Sequence, residues 1–140
     1  MTIQRPVNEV NRPLPQPPSE AFDLSSHYVQ LVPGGASNVV RADGTPPNVP
    51  GYLIGAGLMT QPPPHNGECH QDGDELLVVI TGSVAVTVEK PEGEHTTQVS
   101  EGEAFVVPQG HWHRVRLRTP ARLLFVTPGP NNETRPLRGE

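Results

Sequence analysis

Glu68-Cys69-His70-Gln71-Asp72-Gly73-Asp74-Glu75-Leu76-Leu77-Val78-Val79-Ile80-Thr81-Gly82-Ser83-Val84-Ala85-Val86-Thr87-Val88-Glu89 is the stretch that decides the fold class. Between Ser83 and Glu89 the valines at 84, 86 and 88 share one side and Ser83, Ala85 and Thr87 the other, the period of two of a strand with one core face. Leu76 to Ile80 is apolar at every position, which predicts a strand covered on both faces and central in its sheet. Asp72-Gly73 and Gly82 punctuate the run as tight turns. Glu68 and His70, two apart on a strand, point to one side while Cys69 faces away. The turn 71–74 reverses the chain and Glu75 opens the next strand beside His70, so one hairpin gathers three side chains able to hold a metal.

Outward from this hairpin the same grammar continues. β-branched and aliphatic clusters predict strands near 27–32, 37–42, 51–60, 66–71, 75–81, 83–90, 95–100, 103–107, 112–118 and 121–127, separated by Gly34-Gly35, Asp43-Gly44, Pro91-Glu92-Gly93, Gly102, Pro108-Gln109-Gly110 and Pro120. No segment keeps the i, i+3, i+4 spacing of an amphipathic helix over three turns. The expectation is an all-β, closed or sandwich-like barrel of short strands. The content of 14 glycines and 18 prolines in 140 residues agrees with many tight connections. Residues 1–20, with Pro6, Pro13, Pro15, Pro17 and Pro18, read as an extended arm, either free or docked along a barrel edge. Residues 21–127 are the barrel domain, and 128–140, poor in core residues, read as a C-terminal tail wrapping the surface.

The net charge of −5 with no basic run offers nothing to a phosphate backbone, so no nucleic-acid partner is expected. The longest aliphatic run, Leu76–Ile80, is far too short for a bilayer span, and Met1-Thr2-Ile3-Gln4-Arg5 lacks a signal-peptide core. A cytoplasmic protein with no membrane partner is the expectation, and the single Cys69 suits a reducing compartment.

A second segment reads Gly102, five residues, Pro108-Gln109-Gly110, two residues, His113. The 108–110 turn sets where the next strand begins, and His113 supplies a second imidazole. Together the two segments resemble the paired motifs of the cupin superfamily: glycine, five residues, His-X-His, three or four residues, glutamate, six residues, glycine; and the proline-glycine-histidine segment just quoted. The resemblance spans about residues 55–127 and implies a small double-stranded β-helix, or jelly-roll-like barrel, with extended N- and C-terminal arms. It also implies one divalent metal ion per chain held by His70, Glu75, His113 and Glu68. Three positions depart from the pattern: Pro62 stands at the opening glycine, Leu117 at the closing asparagine, and Glu68 at the first histidine. The first two touch turns and packing, whereas the third changes a ligand. Carboxylate oxygen still suits iron, manganese or zinc. The string Glu-X-His-X-Asp-Gly-Asp-Glu followed later by Trp-His-Arg resembles that of uncharacterised bacterial cupins.

Two imidazoles and two carboxylates around M²⁺ form a near-neutral, oxygen-rich set that favours iron or manganese, with zinc or nickel open. Glu68, where it is not a ligand, is the candidate general base, and His111, two before His113, is a candidate ligand or proton carrier. His65 is out of phase with Glu68 and His70 unless the Asn66-Gly67 turn shifts it, and reads as a rim residue. Cys69 and Trp112 read as packing residues, and Arg41, Arg114, Arg116 and Arg122 as surface charges, any of which turned inward would mean an anionic substrate.

The expected function is a metal-dependent enzyme on a small organic molecule, of oxygenase or of isomerase/lyase type. A non-catalytic ligand-binding or sensing barrel is the alternative, and a metal-free structural barrel ranks last, because four converging polar groups would need partners. The resemblance and the arm together imply a homodimer.

Overall fold

The computed structural model describes residues 20–137, and the arm expected over 1–20 lies outside them but for its last residue. The elements are β1 (His27–Leu31), β2 (Ser37–Arg41), β3 (Gly51–Met59), β4 (Glu68–His70), β5 (Glu75–Thr81), β6 (Ser83–Lys90), β7 (Gly93–Ser100), β8 (Ala104–Val107), β9 (His113–Leu117), β10 (Ala121–Gly129) and β11 (Asn132–Thr134). No helix of the described residues is long and apolar enough to cross a membrane.

The strands form two antiparallel sheets, a six-stranded one in the order β2-β1-β3-β10-β5-β8 and a five-stranded one in the order β11-β4-β9-β6-β7. The chain is an all-β, barrel-like fold, and from β3 onward it passes from one layer to the other at every connection but the β6–β7 hairpin. Gly82 makes one such crossing, from β5 in the first sheet to β6 in the second, with φ +85°. A Cβ there would strike the Pro120 carbonyl oxygen and Ala121, so backbone conformation and space both require glycine.

Between the layers lies the core. β5, β8 and β10 contribute Leu77, Val79, Val107 and Leu123, and β6 and β7 contribute Val84, Val86, Val88 and Val99. Val79 and Val86 are fully enclosed, and each such side chain is worth about 1.5–3 kcal/mol of burial. The valine alternation in β6 therefore has the meaning its sequence suggested.

Three expectations are corrected. Leu76–Ile80 is not covered on both faces: Leu77 and Val79 are buried, whereas Leu76 and Val78 are half-buried and Ile80 is exposed. Its outward residues belong to an apolar outer face of the first sheet, and a run apolar at every position cannot distinguish a second protein layer from an uncovered apolar surface. The strand near 66 begins only at Glu68, because Gly67, at φ +126°, makes a turn of the preceding residues. The chain from 128 on is not only a tail: β10 runs to Gly129, and β11 pairs with β4, setting Asn132 opposite His70 and Thr134 opposite Glu68. So short a polar strand carries no periodicity of its own and exists through its hydrogen bonds to β4.

Candidate metal centre

Strand geometry brings four donors together. β4 sends Glu68 and His70 inward and buries Cys69 on the other side. Glu75 opens β5 in the opposite sheet, and β9 places His113 directly across from Glu68. One donor atom from each of Glu68, His70, Glu75 and His113 lies within 4.8 Å of the other three. Ligands on opposite sides of an ion at about 2.2 Å stand about 4.4 Å apart, so a spread of this size closes on a cation with shifts of a few tenths of an ångström.

Hydrogen bonds behind the donors fix which atoms face inward. His70 Nδ1 donates to Asn132 Oδ1 at 2.9 Å. His113 Nδ1 donates to the His111 carbonyl at 3.3 Å, an oxygen that can only accept. Both imidazoles therefore turn Nε2 toward the centre, the arrangement in which metal-binding histidines are usually held. Thr127 donates its hydroxyl to Glu75 Oε2 at 2.6 Å and so orients that carboxylate. His113 Nε2 is 3.1 Å from Glu75 Oε1, and His70 Nε2 is 3.2 Å from Glu75 Oε2 and 3.5 Å from Glu68 Oε2. The His70 approaches lack hydrogen-bond geometry, and Nε2 is buried with no hydrogen-bond partner.

Bare nitrogens facing carboxylate oxygens repel unless a positive charge lies between them. In the metal-free protein that charge is a proton. Burial pushes the Glu75 carboxyl up, but the imidazoles of His113 and His70 outweigh it and hold it down at about 2. Burial likewise disfavours the protonated form of His70, yet Glu75, Asn132 and Glu68 prevail and raise its pKa. A divalent cation satisfies all four donors at once. On their own chemistry, then, the residues fit a metal.

His65 lies closer to this cluster than strand phase suggested. Gly67 donates its N–H to His65 Nδ1 at 3.1 Å, which leaves His65 Nε2–H to meet Glu68 Oε1 at 2.8 Å. The turn at Gly67 changes the phase on which the rim reading depended. His111 turns elsewhere, its Nδ1 hydrogen-bonded to the Gln109 carbonyl at 3.0 Å, and it is not among the four converging donors. Asn132 and Thr127 carried no signal in the sequence, since they meet their partners from 62 and 52 residues away.

Above the donors opens a cavity of about 550 Å³, within the usual range for small-molecule sites. Leu53, Met59, Leu77, Val115, Leu123 and Phe125 wall it, together with the loop 45–49. Among the described residues, Arg114 is the one arginine that lines it. Arg41 is exposed near Asp43, Arg116 and Arg122 are exposed, and Arg114 binds Glu94 at 2.8 Å with Glu89 at 3.7 Å. Trp112 packs under the Arg135 guanidinium, 4.0 Å from the ring centre. Burial raises the pKa of the Cys69 thiol, helped by the nearby Glu133 charge, which keeps it protonated and unreactive.

Comparison with known proteins agrees with this architecture. The family model described as "Cupin domain" matches residues 57–127. Among solved structures, a conserved protein of unknown function from Streptococcus pyogenes superposes at a TM-score of 0.51 with 16% identity, over 83% of this chain and 92% of that one. Recombinant oxalate oxidase in complex with glycolate superposes at 0.50 with 18% identity, over 59% of this chain and 45% of the other. Peruvianin-I, a cysteine peptidase from Thevetia peruviana latex, does so at 0.52 with 11% identity, over 61% and 56%. The chain thus spans about half the length of the last two, and at these identities the likeness is one of fold. No curated protein matches the chain in sequence.

Proposed function

The chain belongs to the cupin domain family, and on that premise we propose that it is a metal-dependent enzyme that binds one divalent ion through His70, Glu75, His113 and Glu68 and acts on a small organic molecule. The observation that carries this reading is the pair of imidazoles whose Nδ1 atoms are tied down, so that buried Nε2 atoms face carboxylates across a space of ligand dimensions. A bound divalent ion supplies Lewis acidity and, as iron or manganese, redox capacity with positions left for substrate.

The protein's own groups divide the remaining work. Glu75, enclosed and oriented by Thr127, is the fixed anionic ligand. Glu68 is half-exposed at the cavity, with one oxygen held by His65 and the other facing the donors. It is thus placed to ligate through that second oxygen or to take a proton from a bound substrate, with His65 steadying the carboxylate. The apolar walls exclude water around whatever lies above the donors. The same cavity serves the alternative, a barrel that binds or senses a small ligand without turnover.

Purified protein equilibrated with iron(II), manganese(II), zinc(II) or nickel(II) and then desalted is expected to retain about one equivalent of metal per chain. Retention of none of the four sinks the metal reading. Oxygen consumption by the iron form across small enols, catechols and diketones separates oxygenase from Lewis-acid chemistry. Saturable binding with no turnover of any substrate class favours the binding role.

A further inference from the structure

Resting on the reading of this cavity as a metal-dependent small-molecule site, we infer that its ligand is an uncharged, largely apolar molecule presenting an oxygen function to the donor cluster, and not a carboxylate or phosphonate. The charges carry the inference. Glu68 and Glu75 already offset a divalent ion, leaving no surplus positive charge for an anion. Among the described residues that line the cavity Arg114 is the only arginine or lysine. Its terminal nitrogens pair with Glu94 at 2.8 Å and lie 3.7 Å from Glu89, its Nε is buried without a hydrogen-bond partner, and strand alternation sends it to the outer face of β9 while His113 and Val115 face in. His65, also at the wall, is engaged by Glu68. An anion entering here would shed water without gaining a cation, against walls made by Leu53, Met59, Leu77, Leu123 and Phe125. An apolar body buries those walls at no such cost.

The test compares probes of one ring size, acetophenone and benzyl alcohol against benzoate and phenylphosphonate, titrated by NMR into zinc-loaded and metal-free protein whose zinc content is measured on the same sample. The neutral probes are expected to bind at least about tenfold more tightly than the anions in both forms, and Met59→Lys to narrow or reverse that preference. Val115→Arg repeats the charge insertion from the facing sheet, should M59K not fold. Tighter binding of benzoate or phenylphosphonate overturns the inference, as does the lack of saturable binding by either neutral probe. Zinc content separates the two readings: a sample without zinc fails the metal assignment, while its probe preference still decides the ligand class.

Discussion

Replacing His113 by alanine lowers divalent-metal affinity by about 100-fold or more. Changes to residues that only orient ligands commonly cost about 10- to 100-fold, and His113 Nε2 is itself one of the four converging atoms. The metal-free protein should lose stability as well, because the substitution takes away the closest partner of the buried Glu75 carboxylate, 3.1 Å from it. Asn132→Ala provides the scale: it frees His70 Nδ1, whose partner it is at 2.9 Å, and should weaken metal binding less than His113→Ala does. Competition against a chromophoric chelator reads both variants. Wild-type affinity in the His113 variant removes that residue from the site and, with it, the reason for the buried Nε2 atoms to face one another.

Metal-free protein is most stable between about pH 4.5 and 6.5, and added metal changes the shape of that profile. Glu75 is held down at about 2 against an ordinary 4.5. Its contribution is therefore complete above about pH 4.5 and is lost as pH falls toward 2. The interval corresponds to about 3 kcal/mol shared among the coupled groups of the cluster. His70 is shifted upward from 6.5. Its contribution is complete below that value and is lost as pH rises through the elevated one. Metal competes with the His70 proton, so the stabilisation by a saturating divalent ion should grow as pH rises through the same interval. Glu75→Gln removes the carboxylate on which both limbs depend, flattening the metal-free profile and weakening metal binding. Thermal melts from about pH 2.5 to 8.5, with and without metal, show whether this holds. A metal-free stability that rises steadily to pH 8.5, or a metal effect independent of pH, contradicts it.

Much of the fold was legible because strand alternation is a local property. The valines of β6 announced their face, and Gly82 its turn, within eight residues of chain. The spacing of Glu68, His70 and Glu75 was legible for the same reason, since two strands and one turn set their directions. Leu76 to Ile80 was read too simply, because uniform apolarity says that a surface avoids water without saying what covers it. His65 was underrated because phase arguments stop at a turn, and Gly67 is one.

By itself the sequence determined an all-β barrel and a hairpin that gathers Glu68, His70 and Glu75, since strand period and turn chemistry act over a few neighbouring residues, while His113 joined them only through the resemblance to the paired cupin motifs. Tertiary structure alone decided what stands behind those four. β11 exists only through its pairing with β4, and it brings Asn132 to His70, while β10 carries Thr127 to Glu75 and Gly67 turns His65 onto Glu68. Glu94, brought within reach of Arg114 by the pairing of β6 with both β7 and β9, holds its guanidinium on the outer face. These are contacts between strands distant in the chain, fixed by sheet register and layer packing, and no local pattern encodes them.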